Sequence, residues 1–173
     1  MNDHLPGTTV RADLSRRDAA HELLSPMFLS GGLVLSQVSA LSGLEPYTVQ
    51  NWVKRGFLPP PVHKKYDSSQ VCRIFIINML RPAMQMERIC ALLSYINGDL
   101  SDTSDDSIDD FTLYGHIVRQ IGGSGGPLLP DDWREPFPGA AERIRQVMEI
   151  IVTAYRASEL QRRADELCRE IGI

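Results

Sequence analysis

Lysine is almost missing from this chain: three occur in 173 residues, at 54, 64 and 65. Cysteine is equally sparse. Cys72, Cys90 and Cys168 are odd in number and widely spaced, with no C-x-x-C pair, which excludes a disulfide framework and a recognisable zinc site. Cys72 and Cys90 read as small core residues. No stretch approaches the roughly 20 apolar residues that span a bilayer. The start, MNDHLPGTTVRADLSRRD, lacks the apolar core of a signal peptide, so a cytoplasmic protein with no membrane partner is expected. His4, His21, His63 and His116 are scattered, and no nucleophile, acid and base fall at a catalytic spacing, so the chain does not read as an enzyme. The aspartates of DLSDTSDDSIDD lack the D-x-D-x-D-G spacing of a calcium loop. GGSGG has neither a preceding strand nor a following GK[ST], which leaves a flexible linker rather than a phosphate loop. No cofactor or metal is expected.

What is present is mostly helical pattern. With 43% hydrophobic residues, the chain can bury one moderate core and a smaller appended helical unit. Three parts are legible: an N-terminal arm with a short helix over 1–30, a compact unit over 31–98, and an acidic linker with C-terminal helices over 99–173. The arm reads as polar and mobile through residue 14, with a helix over Ser15 to Leu24. The acidic run ends by capping a helix over Ile108 to Ile121. GGSGGPLLPDDWREPFPG, with five glycines and four prolines, then makes a long loop anchored by Trp133 and Phe137. A last helix runs from Ala140 to Glu170.

The most informative stretch is SQVSALSGLEPYTVQNWVKRGFLPPPVHKKY, Ser36 to Tyr66. Ser36 suits the cap of a helix ending at Gly43. Leu44 suits the apolar plug of a tight turn, and Pro46 suits the first position of a second helix. Val49, Trp52 and Val53 define that helix's buried face. Tyr47, Thr48, Gln50, Asn51, Lys54 and Arg55 are left outward. Three prolines hold the exit extended, and His63, Lys64 and Lys65 follow just before Tyr66. Asp67 to Gln70 is a capping-box pattern for the helix VCRIFIINMLR, and MERICALLSYI makes another after Pro82.

In these residues, from Leu35 to Ile96, the chain resembles the DNA-binding domain of MerR-type regulators: a helix-turn-helix, an LPPP exit, a basic wing ending in a tyrosine, and two helices behind it. It resembles more closely a bacterial family of uncharacterised proteins built on a short-wing MerR-like domain, to which a regulatory role is attached. The resemblance covers about a third of the chain. It implies a mainly α fold, a MerR-like winged helix-turn-helix plus C-terminal helices. It places Tyr47, Thr48, Gln50, Asn51 and Lys54 on a recognition helix and Lys64 and Tyr66 in a wing against phosphates. Tyr47 and Gln50 stand where many MerR-type helices carry arginine, and the wing is several residues shorter.

Charge is distributed in keeping with that implication. Gly31 to Gly98 carries seven basic against three acidic side chains, +4, which leaves −8 for the rest of a chain whose net is −4. The expected function is sequence-specific regulation of transcription on double-stranded DNA. Lys54, Arg55, Lys64 and Lys65 would hold phosphates, and Tyr47, Thr48, Gln50 and Asn51 would read base edges. In the final helix, Ile144, Val147, Ile151 and Ala154 form one stripe, and Leu160, Ala164, Leu167 and Ile171 continue it after a three-residue slip. By the same resemblance this helix is a candidate homodimerisation element. Two alternatives stay open: a protein-interaction module that keeps the scaffold without binding DNA, and an enzyme that binds a small ligand between the two lobes, for which the long glycine-rich loop is the one supporting feature. The sequence names no effector.

Overall fold

The computed structural model describes residues 3–173. Among them, seven α-helices surround one continuous hydrophobic core, with a two-stranded sheet at one side. The helices are α1 (Ala19–Leu24), α2 (Leu35–Ser42), α3 (Pro46–Lys54), α4 (Ser68–Leu80), α5 (Met86–Asn97), α6 (Asp110–Gly122) and α7 (Ala140–Glu170). A 3₁₀ turn, Ser25–Phe28, follows α1, and strands β1 (Leu33–Val34) and β2 (Lys65–Tyr66) pair antiparallel with Leu33 opposite Tyr66.

Helix α4 is the axis of the fold. Every residue from Gln70 to Ile77 is buried, as a helix enclosed on all sides requires, and α2, α5, α6 and α7 pack around it. Its start is fixed by a reciprocal cap: Asp67 Oδ1 accepts from the Gln70 amide at 2.8 Å, and Gln70 Oε1 accepts from the Asp67 amide at 2.9 Å. Gln70 Nε2 also donates to the Pro60 carbonyl at 2.9 Å, which ties the proline exit to this helix. Arg73, buried on α4, donates from Nε to the Phe57 carbonyl at 3.0 Å and from Nη1 to Asp110 Oδ2 at 3.4 Å. The pairing and the hydrogen bond offset part of the cost of burying the charge, while Arg73 Nη2 and Asp110 Oδ1 are buried without a partner.

The N-terminal arm departs from expectation. Residues 3–14 are packed onto the core rather than free, because Leu5 supplies a fully buried anchor and the backbone turns back with Leu5 N donating to the Val10 carbonyl at 2.8 Å. Gly7, at φ +72°, allows this approach, since a Cβ there would lie 2.2 Å from the Phe75 carbonyl oxygen. Buried Tyr114 donates from its hydroxyl to the Pro6 carbonyl at 2.7 Å, and Asn78 Nδ2 donates to Gly7 O at 3.0 Å and to Ser42 O at 2.9 Å. The first helix is also shorter than its pattern suggests. Asp13 Oδ1 accepts from the Ser15 amide and hydroxyl, and this local turn competes with helix until Ala19.

The acidic linker is held more firmly than a solvated tether. Asn97 Oδ1 accepts from the amides of Ser107 and Ile108, and its Nδ2 donates back to Ile108 O at 2.6 Å. The glycine- and proline-rich loop after α6 is pinned by Trp133, whose Nε1 donates to Ser107 O at 2.7 Å. Helix α7 begins and ends where its pattern places it, but only its first half joins the core: beyond Tyr155 no residue is buried. Cys72 is buried, Cys90 half-buried and Cys168 exposed.

Candidate nucleic-acid interface

The α2–α3 pair is set by its turn. Gly43 adopts φ +70° and donates to Ser39 O, while Ser42 Oγ donates to Val38 O and accepts from the Leu44 amide at 3.2 Å. Leu44 is thereby buried, as are Val38, Val49 and Trp52 in the same core. Thr9 binds the far end of α2, with its amide donating to Leu41 O and its hydroxyl to Ala40 O, both at 2.7 Å. With this face fixed inward, the opposite face of α3 points to solvent. Tyr47, Gln50, Asn51 and Lys54 are exposed at spacings of three, four and seven, one stripe of a helix, whereas Thr48 is half-buried.

The basic exit is a two-residue hairpin. Val62 and Lys65 exchange both backbone hydrogen bonds, at 3.0 and 2.9 Å, around His63 and Lys64, whose φ values are +49° and +63°. That geometry belongs to a type I′ turn, where Asn-Gly is the favoured pair. Two side chains with a Cβ are held in a left-handed conformation at the tip, and Lys64 is exposed there.

Several expected residues are brought together and others are not. Gln50 on α3 and Lys64 on the hairpin line one groove of about 580 Å³, together with Ser36, Leu35, Val53 and Tyr66. Ser36 lies inside α2, not at its cap; the chain enters from Val34, whose amide donates to Gln37 Oε1 at 3.0 Å. Its exposed hydroxyl at the start of α2 beside Gln50 is a polar contributor that pattern reading had assigned to capping alone. Tyr66 is 3% exposed and sits opposite Leu33 across the sheet, so its ring supports the hairpin rather than standing out from it. Burial pushes its hydroxyl above the ordinary tyrosine range.

Two of the cations are already engaged. Arg55 pairs with Glu87 at 3.3 Å and lies 4.6 Å over the Phe57 ring, and Lys65 donates to Ser30 O at 3.2 Å. Lys54 and Lys64 make no such contact among the described residues. Among the described residues, no group of three or more His, Cys, Asp or Glu is arranged to hold a metal, and no helix is long and apolar enough to cross a membrane.

Comparison with known proteins matches a longer segment that contains this region. Residues 33–117 match the family model of a domain of unknown function, DUF1836. The matched segment opens on β1 and closes within α6, so it contains α2, α3, the hairpin and the α4 axis. A Bacillus subtilis (strain 168) protein described as uncharacterized protein YkrK is 29% identical over 162 residues, covering 80% of this chain and 70% of its own. No solved structure matches.

Proposed function

We propose that the chain is a DNA-binding transcriptional regulator in which α2, the Gly43 turn, α3 and the hairpin act as a MerR-like winged helix-turn-helix. The observation that carries the reading is the exposed polar stripe of α3 adjoining a groove shared with Lys64 at the hairpin tip. A helix inserted in the major groove presents such a stripe to base edges, and Gln50 and Asn51 have the paired donor and acceptor that recognise adenine. Lys54 and Lys64 then fix register on phosphates, each releasing condensed counterions. Arg55, tied to Glu87, serves the scaffold more than the contact.

A second copy extends the interface. Leu160 and Leu167, on the half of α7 that leaves the body, and Ile171, just past its end, stand 73%, 46% and 73% exposed at helical spacing, a stripe that a second copy could cover. Pairing through it would place two recognition helices on one duplex.

Selection of bound sequences from a randomised duplex pool tests the reading. The wild type is expected to enrich one motif, in two copies if it dimerises, and Gln50→Ala to relax preference at one position of it. Retention of the pool without enrichment would sink sequence-specific recognition, and no retention would sink DNA binding.

A further inference from the structure

Helices α1 and α6 pack against each other and, with the loop at 127–131, line a cavity of about 530 Å³. Its size falls in the range of small-molecule sites. Leu24, Phe111 and Leu129 supply apolar wall, and Gly115 opens the floor: a Cβ there would meet nothing within 4 Å.

The polar groups on the lining divide into spent and unspent. Asp18 is paired with Arg119 at 2.8 Å, and Asp109 caps α6 by accepting from the Thr112 amide and hydroxyl. Three lining groups make no side-chain hydrogen bond or ion pair to the described residues: the Arg17 guanidinium and the Asp131 carboxylate, both exposed to solvent, and the His116 imidazole. His116 is the unusual one. It is only 6% exposed, yet neither ring nitrogen is hydrogen-bonded. Burial lowers its proton affinity below the ordinary histidine range, so at neutral pH the ring offers one donor and one acceptor.

We propose that this cavity binds a small amphoteric carboxylate of the amino-acid class. Its carboxylate meets Arg17, its ammonium meets Asp131, and its side chain lies on the apolar wall within reach of His116. Three carboxylates against two guanidiniums on the lining repel polyanions, which sets phosphates and nucleotides aside. The site lies apart from α3 and the hairpin, and the proposal stands whether or not the chain binds DNA.

The experiment is a thermal-shift screen of the full chain against the twenty L-amino acids, their carboxamides, inorganic phosphate and ATP, with calorimetry on every responder. At least one amino acid is expected to bind saturably, with its carboxamide bound at least tenfold more weakly. Arg17→Gln, at an exposed position, is expected to weaken binding about tenfold. Gly115→Leu fills the cavity from a helical position with free space, and is expected to abolish binding while the melting temperature of the unliganded chain holds or rises. The proposal is overturned if no amino acid binds the wild type, if binding survives both substitutions, or if only phosphate or ATP responds.

Discussion

Replacing Lys64 with glycine moves stability and DNA binding in opposite directions. Lys64 sits at φ +63° in the hairpin turn. A left-handed conformation costs a residue with a Cβ roughly 1–2 kcal/mol, and glycine escapes that cost. Glycine in turn loses about 0.5–1 kcal/mol more chain entropy on folding, so the net gain is about 0.5–1 kcal/mol. For a chain of this size that raises the melting temperature by about 2 °C. Binding goes the other way. Loss of one phosphate contact lowers the steepness of log K against log salt by about 0.9 per protomer. Lys64→Ala separates the two effects, because it removes the charge and keeps the Cβ: its salt dependence should flatten as in the glycine variant, with no gain in melting temperature. Paired thermal melts and fluorescence anisotropy over a salt series read both quantities. A glycine variant that melts lower than wild type, or that holds DNA with unchanged salt dependence, would refute the reasoning.

Other perturbations follow from the same contacts. Asn78→Ala strands the carbonyls of Gly7 and Ser42, at about 1–3 kcal/mol for buried groups left unmade, and should lower the melting temperature by several degrees while speeding proteolysis within the first 14 residues. Glu87→Gln releases Arg55 from its ion pair, and DNA affinity should rise severalfold; an unchanged affinity means Arg55 does not reach phosphate. Asp106 is pushed up to about 6 by burial and by the Asp110 and Asp105 carboxylates, against 3.8 in the unfolded chain. The folded state therefore binds more protons between those values, so this group's contribution falls as pH rises from about 4 to about 6. Asp106→Asn should melt higher than wild type at pH 7, with the difference closing by pH 4, and a constant difference across that range would dismiss the linkage.

Local signals carried most of the fold. The Asp67–Gln70 capping box, Pro46 at a helix start, Gly43 at φ +70° and the limits of α7 are all encoded within a few residues of where they act, and each is where the pattern places it. Long-range packing was not legible. Leu5 looks like one apolar residue in a polar arm, and only the closeness of Gly7 to α4 and the Tyr114 hydroxyl on Pro6 make it core. The same limit applies at the interface. Exposure of Tyr47, Gln50, Asn51 and Lys54 follows from helical period, but the partners that occupy Arg55 and Lys65 lie more than thirty residues away in sequence, at Glu87 and Ser30. Burial of Tyr66 depends on its pairing with Leu33, a strand too short to register as a pattern. The cavity beside His116 left no sequence signal, because its walls come from three separated segments.

DNA binding through α3 and the hairpin is the central claim, and the salt dependence of duplex binding tests it most directly. Anisotropy of a labelled duplex pool titrated with the full chain, at salt concentrations from about 50 to 300 mM, should give a steep linear fall of log K with log salt. The Lys54→Ala, Lys64→Ala double variant should lose close to two units of that slope per protomer, at about 0.9 for each phosphate contact. Wild-type and doubly substituted chains with the same slope, or no binding at the lowest salt, would contradict the account.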